Sequence, residues 1–165
     1  MAADLILYRA LHPSWSFAPL SGNGAAKKGG RWNRPGRAAL YLACDPMTAL
    51  AEYNQDIAFH PVTLGEYHVS EASLWDMTRD DRFLAQDGAL PAIHNVPWYR
   101  YVVEGKEPPQ WRIADRVETH GYHGLIYPSA QNSLGKCVVL WRWNDGSGAK
   151  VRLFDPESRL PAAKP

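Results

Sequence analysis

At 165 residues the chain has the length of one ordinary domain, enough to hide about two thirds of its extended surface on folding without disulfide or metal staples. Eighteen basic against seventeen acidic residues leave a formal net charge of +1, which argues against a broad nucleic-acid-binding surface. Hydrophobic residues make up an ordinary globular 45%, no apolar run nears the roughly 20 residues that span a bilayer, and two cysteines make no zinc framework.

The opening MAADLILYRA has no basic stretch ahead of a long apolar run, so it does not read as a secretory leader, and the expected location is the cytoplasm. Leu5 to Tyr8 reads as a short strand ending at Arg9. His12 to Gly30 carries Pro13, Pro19, Gly22, Gly24, Gly29 and Gly30, the composition of a long loop. The run RAALYLA, Arg37 to Ala43, predicts a buried strand. Asp45 then supplies a helix N-cap and Pro46 a first-turn proline, opening a helix through MTALAEYNQ.

VTLGEYHV, Val62 to Val69, predicts another strand, weakened by Gly65. From Leu74 the expected order is a short strand and then a helix ending near Gly88. Asn95 to Val117 resists assignment, because Pro97, Pro108 and Pro109 interrupt its aromatic pieces. Gly124 to Tyr127 makes a brief strand ahead of Pro128 and Ser129. Cys137 to Trp141 and Val151 to Phe154 are the last two strands, and the turn-rich NDGSG between them suggests a hairpin. Strands outnumber helices and do not alternate regularly with them. That predicts a single α+β domain over residues 1–165, its core about 5–154, rather than a doubly wound α/β fold. Cys44 and Cys137 can pair or remain free thiols.

Several stretches could carry chemistry. In GGRWNRPG, Gly29 to Gly36, glycines such as Gly30 allow a ligand close to the backbone, and Arg31 can grip phosphate oxygens through two parallel hydrogen bonds. Trp32 offers a flat face and Asn33 both a donor and an acceptor. The same stretch equally suits a turn whose tryptophan seals the core and whose arginine faces water. Lys27, Lys28, Arg34 and Arg37 complete a basic cluster that fits either a few phosphates or a solvated loop. Neither GxxxxGK[ST] nor GxGxxG occurs. Glu52, one or two turns into the predicted helix, can stabilise positive charge at a cleft edge or sit as a surface carboxylate. Ser129, after a proline at a strand end, and nearby Asn132 suit hydrogen bonding to a ligand. A nucleophilic serine is disfavoured, since no GxSxG elbow surrounds it. The histidines are scattered, and even His120 and His123 lack supporting ligands, so no metal site is expected.

Taken together, YR at Tyr8–Arg9, GGRWNRPG, ALYLACDPMTALAE at Ala39–Glu52 and GLIYPSAQN at Gly124–Asn132 resemble the RES family, the toxin halves of bacterial toxin–antitoxin pairs. The likeness runs from about Leu5 to Phe154. The arginine, glutamate and serine that name the family map onto Arg31, Glu52 and Ser129. A family tyrosine maps onto Tyr41, and Arg9 matches a further arginine.

The resemblance implies a fold like that of ADP-ribosyltransferases, with central split β-sheets and flanking helices. It implies a catalytic set of Arg31, Glu52, Tyr41 and Ser129, with Arg9, Gly30, Trp32, Asn33 and Asn132 contacting the dinucleotide. The implied reaction is cleavage of the nicotinamide–ribose bond of NAD by hydrolysis or phosphorolysis, with NAD as substrate and no separate cofactor. The implied partner is an Xre-like helix-turn-helix antitoxin that covers the active site. Direct binding to nucleic acid or to a membrane is not expected. Two alternatives stay open: a mono-ADP-ribosyltransferase, which would leave an adduct on protein, and a non-catalytic nucleotide-binding regulatory module, which would bind without releasing nicotinamide.

Overall fold

Strand β1 (Leu5–Leu11) runs through the middle of the sheet and treats its two neighbours unequally. It pairs along its whole length with β3 (Thr63–Ser70), from Leu5 opposite Val69 to Leu11 opposite Thr63. Against β2 (Leu40–Ala43) it meets only at Tyr8 opposite Ala43. The computed structural model describes residues 4–55, 58–85 and 93–162, and within them the remaining strands are β4 (Leu74–Asp76), β5 (Gly124–Pro128), β6 (Lys136–Leu140) and β7 (Lys150–Leu153). The sheet order is β4-β5-β6-β2-β1-β3-β7, with β4–β5 parallel and the other pairs antiparallel. One residue pair therefore joins a four-strand half to a three-strand half. The α+β class holds, and the expected split of the sheet is this narrow junction.

The central strand β6 shows why the sheet is buried on both faces. Val138 and Leu140 point into a cluster with Leu7, Leu40, Leu42, Tyr67 and Val69. Cys137, Val139 and Trp141 point the other way, into a cluster with Trp32, Trp75, Ile113, Val117 and Leu125. Alternate residues of a strand face opposite sides, so a near-continuous apolar run satisfies two cores at once. Each fully buried Val or Leu contributes about 1.5–3 kcal/mol relative to exposure.

Four helices, α1 (Asn23–Lys28), α2 (Pro46–Asn54), α3 (Trp98–Val103) and α4 (Pro109–Thr119), occur among the described residues. Helix α4 lays Ile113, Ala114 and Val117 on the sheet. No helix there is long and apolar enough to cross a membrane.

Local signals are realised closely. Asp45 caps α2 as its sequence suggests, accepting from Thr48 N at 2.8 Å and Thr48 Oγ1 at 2.6 Å, with Pro46 in the first turn. The strand that was expected to stop near Arg9 continues to Leu11. The long glycine-rich loop holds a 3-10 turn at Pro13–Trp15 and the short α1. The unassigned proline-rich region contains α3 and α4, with Pro109 where a first helical turn needs no N–H donor.

Two expectations are corrected. The last two strands form no hairpin: β7 pairs with β3, because both edges of β6 are already taken by β2 and β5. The helix expected after β4 is not formed as an α-helix over 77–85, where turns lead to a 3-10 position at Ala85. There Asp76 Oδ1 accepts from Thr78 N and Asp80 Oδ1 from Arg82 N, so side chains compete with helical hydrogen bonding. Its proposed end at Gly88 lies outside the described residues.

Candidate active site

Where β1 and β2 diverge from their single meeting point, a cleft of about 410 Å³ opens, with Arg9, Arg31, Tyr41, Glu52, Trp98 and Tyr127 among its walls. That volume lies in the range of small-molecule pockets.

Glu52 reaches the cleft because α2 starts immediately after β2 and packs back over β1. Its Oε1 accepts from Ser129 Oγ at 2.5 Å and from the backbone N–H of Ala130 at 3.2 Å. Among the described residues no donor reaches Oε2. Ser129 follows the end of β5, and its Oγ accepts the N–H groups of Gln131 at 3.1 Å and Asn132 at 3.0 Å. The loop is tied to α2 by Asn132 Nδ2, which donates to Thr48 Oγ1 at 2.8 Å. Gly135 permits that approach, since a Cβ there would lie 2.1 Å from Thr48 Oγ1. The Cys137 thiol also lines the cleft, 3.8 Å from Glu52 Oε1. Burial, reinforced by the carboxylate of Glu52, pushes its pKa well up and keeps it a thiol. Both cysteines are free.

Arg9 and Arg31 both line this cleft, but their guanidinium groups have different partners. Arg9, on β1, donates from Nη1 to Pro19 O at 3.0 Å and Ser21 O at 3.3 Å. Burial lowers its pKa, while Tyr67 opposes that shift; an arginine remains a cation nonetheless. Arg31 donates from Nη1 to His94 O and, at 3.3 Å, to Val96 O.

The RES domain family matches residues 6–162 of this sequence, nearly all of it. The chain belongs to the RES domain family. Among solved structures, this RES domain is similar to a chain in the crystal structure of the M. tuberculosis MbcT–MbcA toxin–antitoxin complex. The TM-score is 0.60 at 19% identity, and the match covers 92% of this chain and 83% of that one, a likeness of fold. Comparison with curated proteins returns no match.

Within the RES domain the residues singled out from sequence separate into two groups. Arg9, Arg31, Tyr41 and Glu52 line one cleft, and Ser129 touches it through Glu52. The others build its supports. Trp32 is 0% exposed, packs on Tyr127 with ring centroids 5.4 Å apart, and accepts from Trp141 Nε1 through its carbonyl at 2.9 Å. It seals the core and presents no open face to a ligand. Asn33, 1% exposed, spends its amide hydrogens on the carbonyls of Ala25, Arg34 and Arg37. Its Oδ1 accepts from the Tyr41 hydroxyl at 2.7 Å, and that hydroxyl in turn accepts from Trp32 N at 2.9 Å. Burial raises the Tyr41 pKa, so the hydroxyl stays neutral and holds the loop. Gly30 serves the same knot: a Cβ there would lie 2.6 Å from both Tyr41 Oη and Asn33 Oδ1. Asn132 is likewise engaged with Thr48. In this structure Gly30, Trp32, Asn33 and Asn132 are thus engaged in internal contacts.

The basic cluster also divides. Arg34 pairs with Glu107 at 2.9 Å and Asp115 at 2.7 Å, and Arg37 with Asp115 at 3.5 Å and with Glu118. Carboxylates on and beside α4 neutralise these two arginines, and Arg34 holds the Glu107 pKa below the usual carboxylate range. His120 Nδ1 sits 2.8 Å from Arg116 O, and His123 Nδ1 accepts from Ser73 N at 3.1 Å, so neither faces a shared site.

Sequence reasoning missed Trp98. It is half-buried on α3, with its ring in the cleft wall and edge-on to Tyr99. The only signal was an aromatic-rich piece after Pro97, which periodicity could not assign to an element.

Proposed function

We propose that this RES domain is the toxin of a toxin–antitoxin pair and cleaves the nicotinamide–ribose bond of NAD. One observation carries the reading: Glu52, anchored through a single oxygen, shares a cleft with Arg31 and Arg9. NAD needs that combination, having two phosphates to grip and a sugar carbon that turns cationic as its base departs.

In this mechanism Arg31, assisted by Arg9, takes the pyrophosphate. The C–N bond breaks with its electron pair leaving on nicotinamide, which departs as a neutral base. The ribose carbon passes through an oxocarbenium-like state, as in glycoside cleavage. Glu52 Oε2 faces that charge and stabilises it more strongly than the ground state. Water attacks the carbon, loses its proton and yields ADP-ribose; inorganic phosphate in the same role yields the phosphorylated sugar. Trp98 supplies a stacking face for one of the two bases. Ser129 and Tyr41 act on the loops and on Glu52 rather than on the sugar.

The solved relative comes from a toxin–antitoxin complex, which supports an antitoxin partner here as well. The Xre-like, helix-turn-helix identity of that partner and its coverage of the cleft belong to the same proposal.

Purified, antitoxin-free protein incubated with NAD, with and without inorganic phosphate, tests the reading. Release of nicotinamide together with ADP-ribose or its phosphorylated form supports it. Label accumulating on a protein instead would establish transferase chemistry. Saturable binding of NAD with no nicotinamide release would make the chain a nucleotide-binding module.

A further inference from the structure

A free arginine side chain carries substantial rotamer entropy, so a guanidinium that must meet a phosphate at one place benefits from being held. Arg31 is held by the carbonyls of His94 and Val96, in the turn that leads into α3. That turn needs its own anchor. Gln110, 0% exposed in the first turn of α4, donates from Nε2 to Ile93 O and to Val96 O, both at 2.9 Å. Val96 O therefore receives both Arg31 and Gln110. The next residue, Trp111, sends its indole N–H to Gly30 O at 2.8 Å, gripping the backbone immediately before Arg31.

The side-chain chemistry argues against packing as the only role of Gln110. Its Oε1 is buried and has no hydrogen-bond partner among the described residues. Such an orphan carries a desolvation cost that leucine or methionine of similar volume would avoid. What only the amide supplies is the pair of donors to the turn.

We infer that Gln110 and Trp111 are positioning residues for Arg31, fixing the guanidinium in the cleft from both sides without touching substrate. This rests on the NAD reading above for its catalytic consequence, though not for its structural one. Adjacent residues of one helix fasten both the segment carrying the arginine and the turn receiving it, so the spacing between them is set by the rigid first turn of α4.

The test compares wild type, Gln110→Met, Arg31→Lys and the double variant for NAD consumption. Gln110→Met keeps length and volume and removes both donors. It should lower kcat/KM about 10-fold, mainly through KM, and by less than about 2-fold when Arg31 is already lysine. A residue that only packs would reduce both backgrounds by the same factor, and that result overturns the inference. Trp111→Phe keeps the ring, loses the indole donor and should show the same non-additivity, which covers poor folding of Gln110→Met. If wild type leaves NAD intact, the functional reading fails and hydrogen–deuterium exchange decides the positioning. Amides in 29–33 and 93–98 should exchange faster in whichever variant folds, while those of α2 are unchanged. Equal protection of both segments would overturn it.

Discussion

Ser129 Oγ donates to Glu52 Oε1 at 2.5 Å across 77 positions of sequence, while the same oxygen accepts the N–H groups of Gln131 and Asn132. The hydroxyl hydrogen and both lone pairs are committed, so in this structure the serine holds the carboxylate in place. Ser129→Ala removes a donor from Glu52 and an acceptor from two N–H groups. Nicotinamide release should fall about 10- to 100-fold, and urea unfolding should show a loss of about 1–3 kcal/mol.

Glu52→Gln preserves shape and removes charge. If the carboxylate stabilises a developing cation, kcat should drop at least about 100-fold with little change in Tm. Turnover equal to wild type would remove Glu52 from the chemistry.

The two arginines of GGRWNRPG should behave oppositely. Arg31→Lys forfeits the planar fork and should raise KM for NAD about 10-fold. Arg34→Lys should leave turnover within about 2-fold, because that guanidinium is occupied by Glu107 and Asp115. Steady-state kinetics of both variants at one ionic strength check the contrast.

Trp98→Ala should weaken NAD binding by about 1–3 kcal/mol if a base stacks on it, and Trp98→Phe should recover most of that loss. Calorimetric titration with NAD measures both; an unchanged Kd in the alanine variant removes Trp98 from the binding site.

Thr48, through its hydroxyl and its backbone N–H, depresses the Asp45 pKa. With the folded pKa below the unfolded value near 3.9, this cap contributes fully above about pH 4 and is lost as pH falls through the folded pKa. Asp45→Asn retains a cap acceptor but cannot titrate. Its unfolding free energy should therefore fall less steeply than that of wild type between pH 5 and pH 3, as followed by urea unfolding at each pH.

Features decided by neighbouring residues were legible in the chain itself. The α2 cap spans three positions, from Asp45 to Thr48, and helix geometry alone dictates it. Family motifs likewise pointed to Arg31, Tyr41, Glu52 and Arg9, all of which line one cleft. The hairpin expectation failed for a non-local reason: an apolar strand such as β6 offers two edges, and short-range pattern cannot say that β2 and β5 occupy them.

The same distinction divides the glycine-rich motif. By itself the sequence determined which side chains carry charge, flat faces and paired donors, and it fixed the α+β composition of strands and helices. Only the tertiary structure decided which of those groups remain available to a ligand. Trp32 and Asn33 were consumed by the core and by Tyr41, Arg34 by carboxylates from α4 and its approach, and Arg31 was brought to the cleft by carbonyls more than sixty positions away. Availability depends on what packs opposite each group: for Trp32, Arg31 and Arg34 that element comes from a distant part of the chain, while Asn33 is held by residues within eight positions.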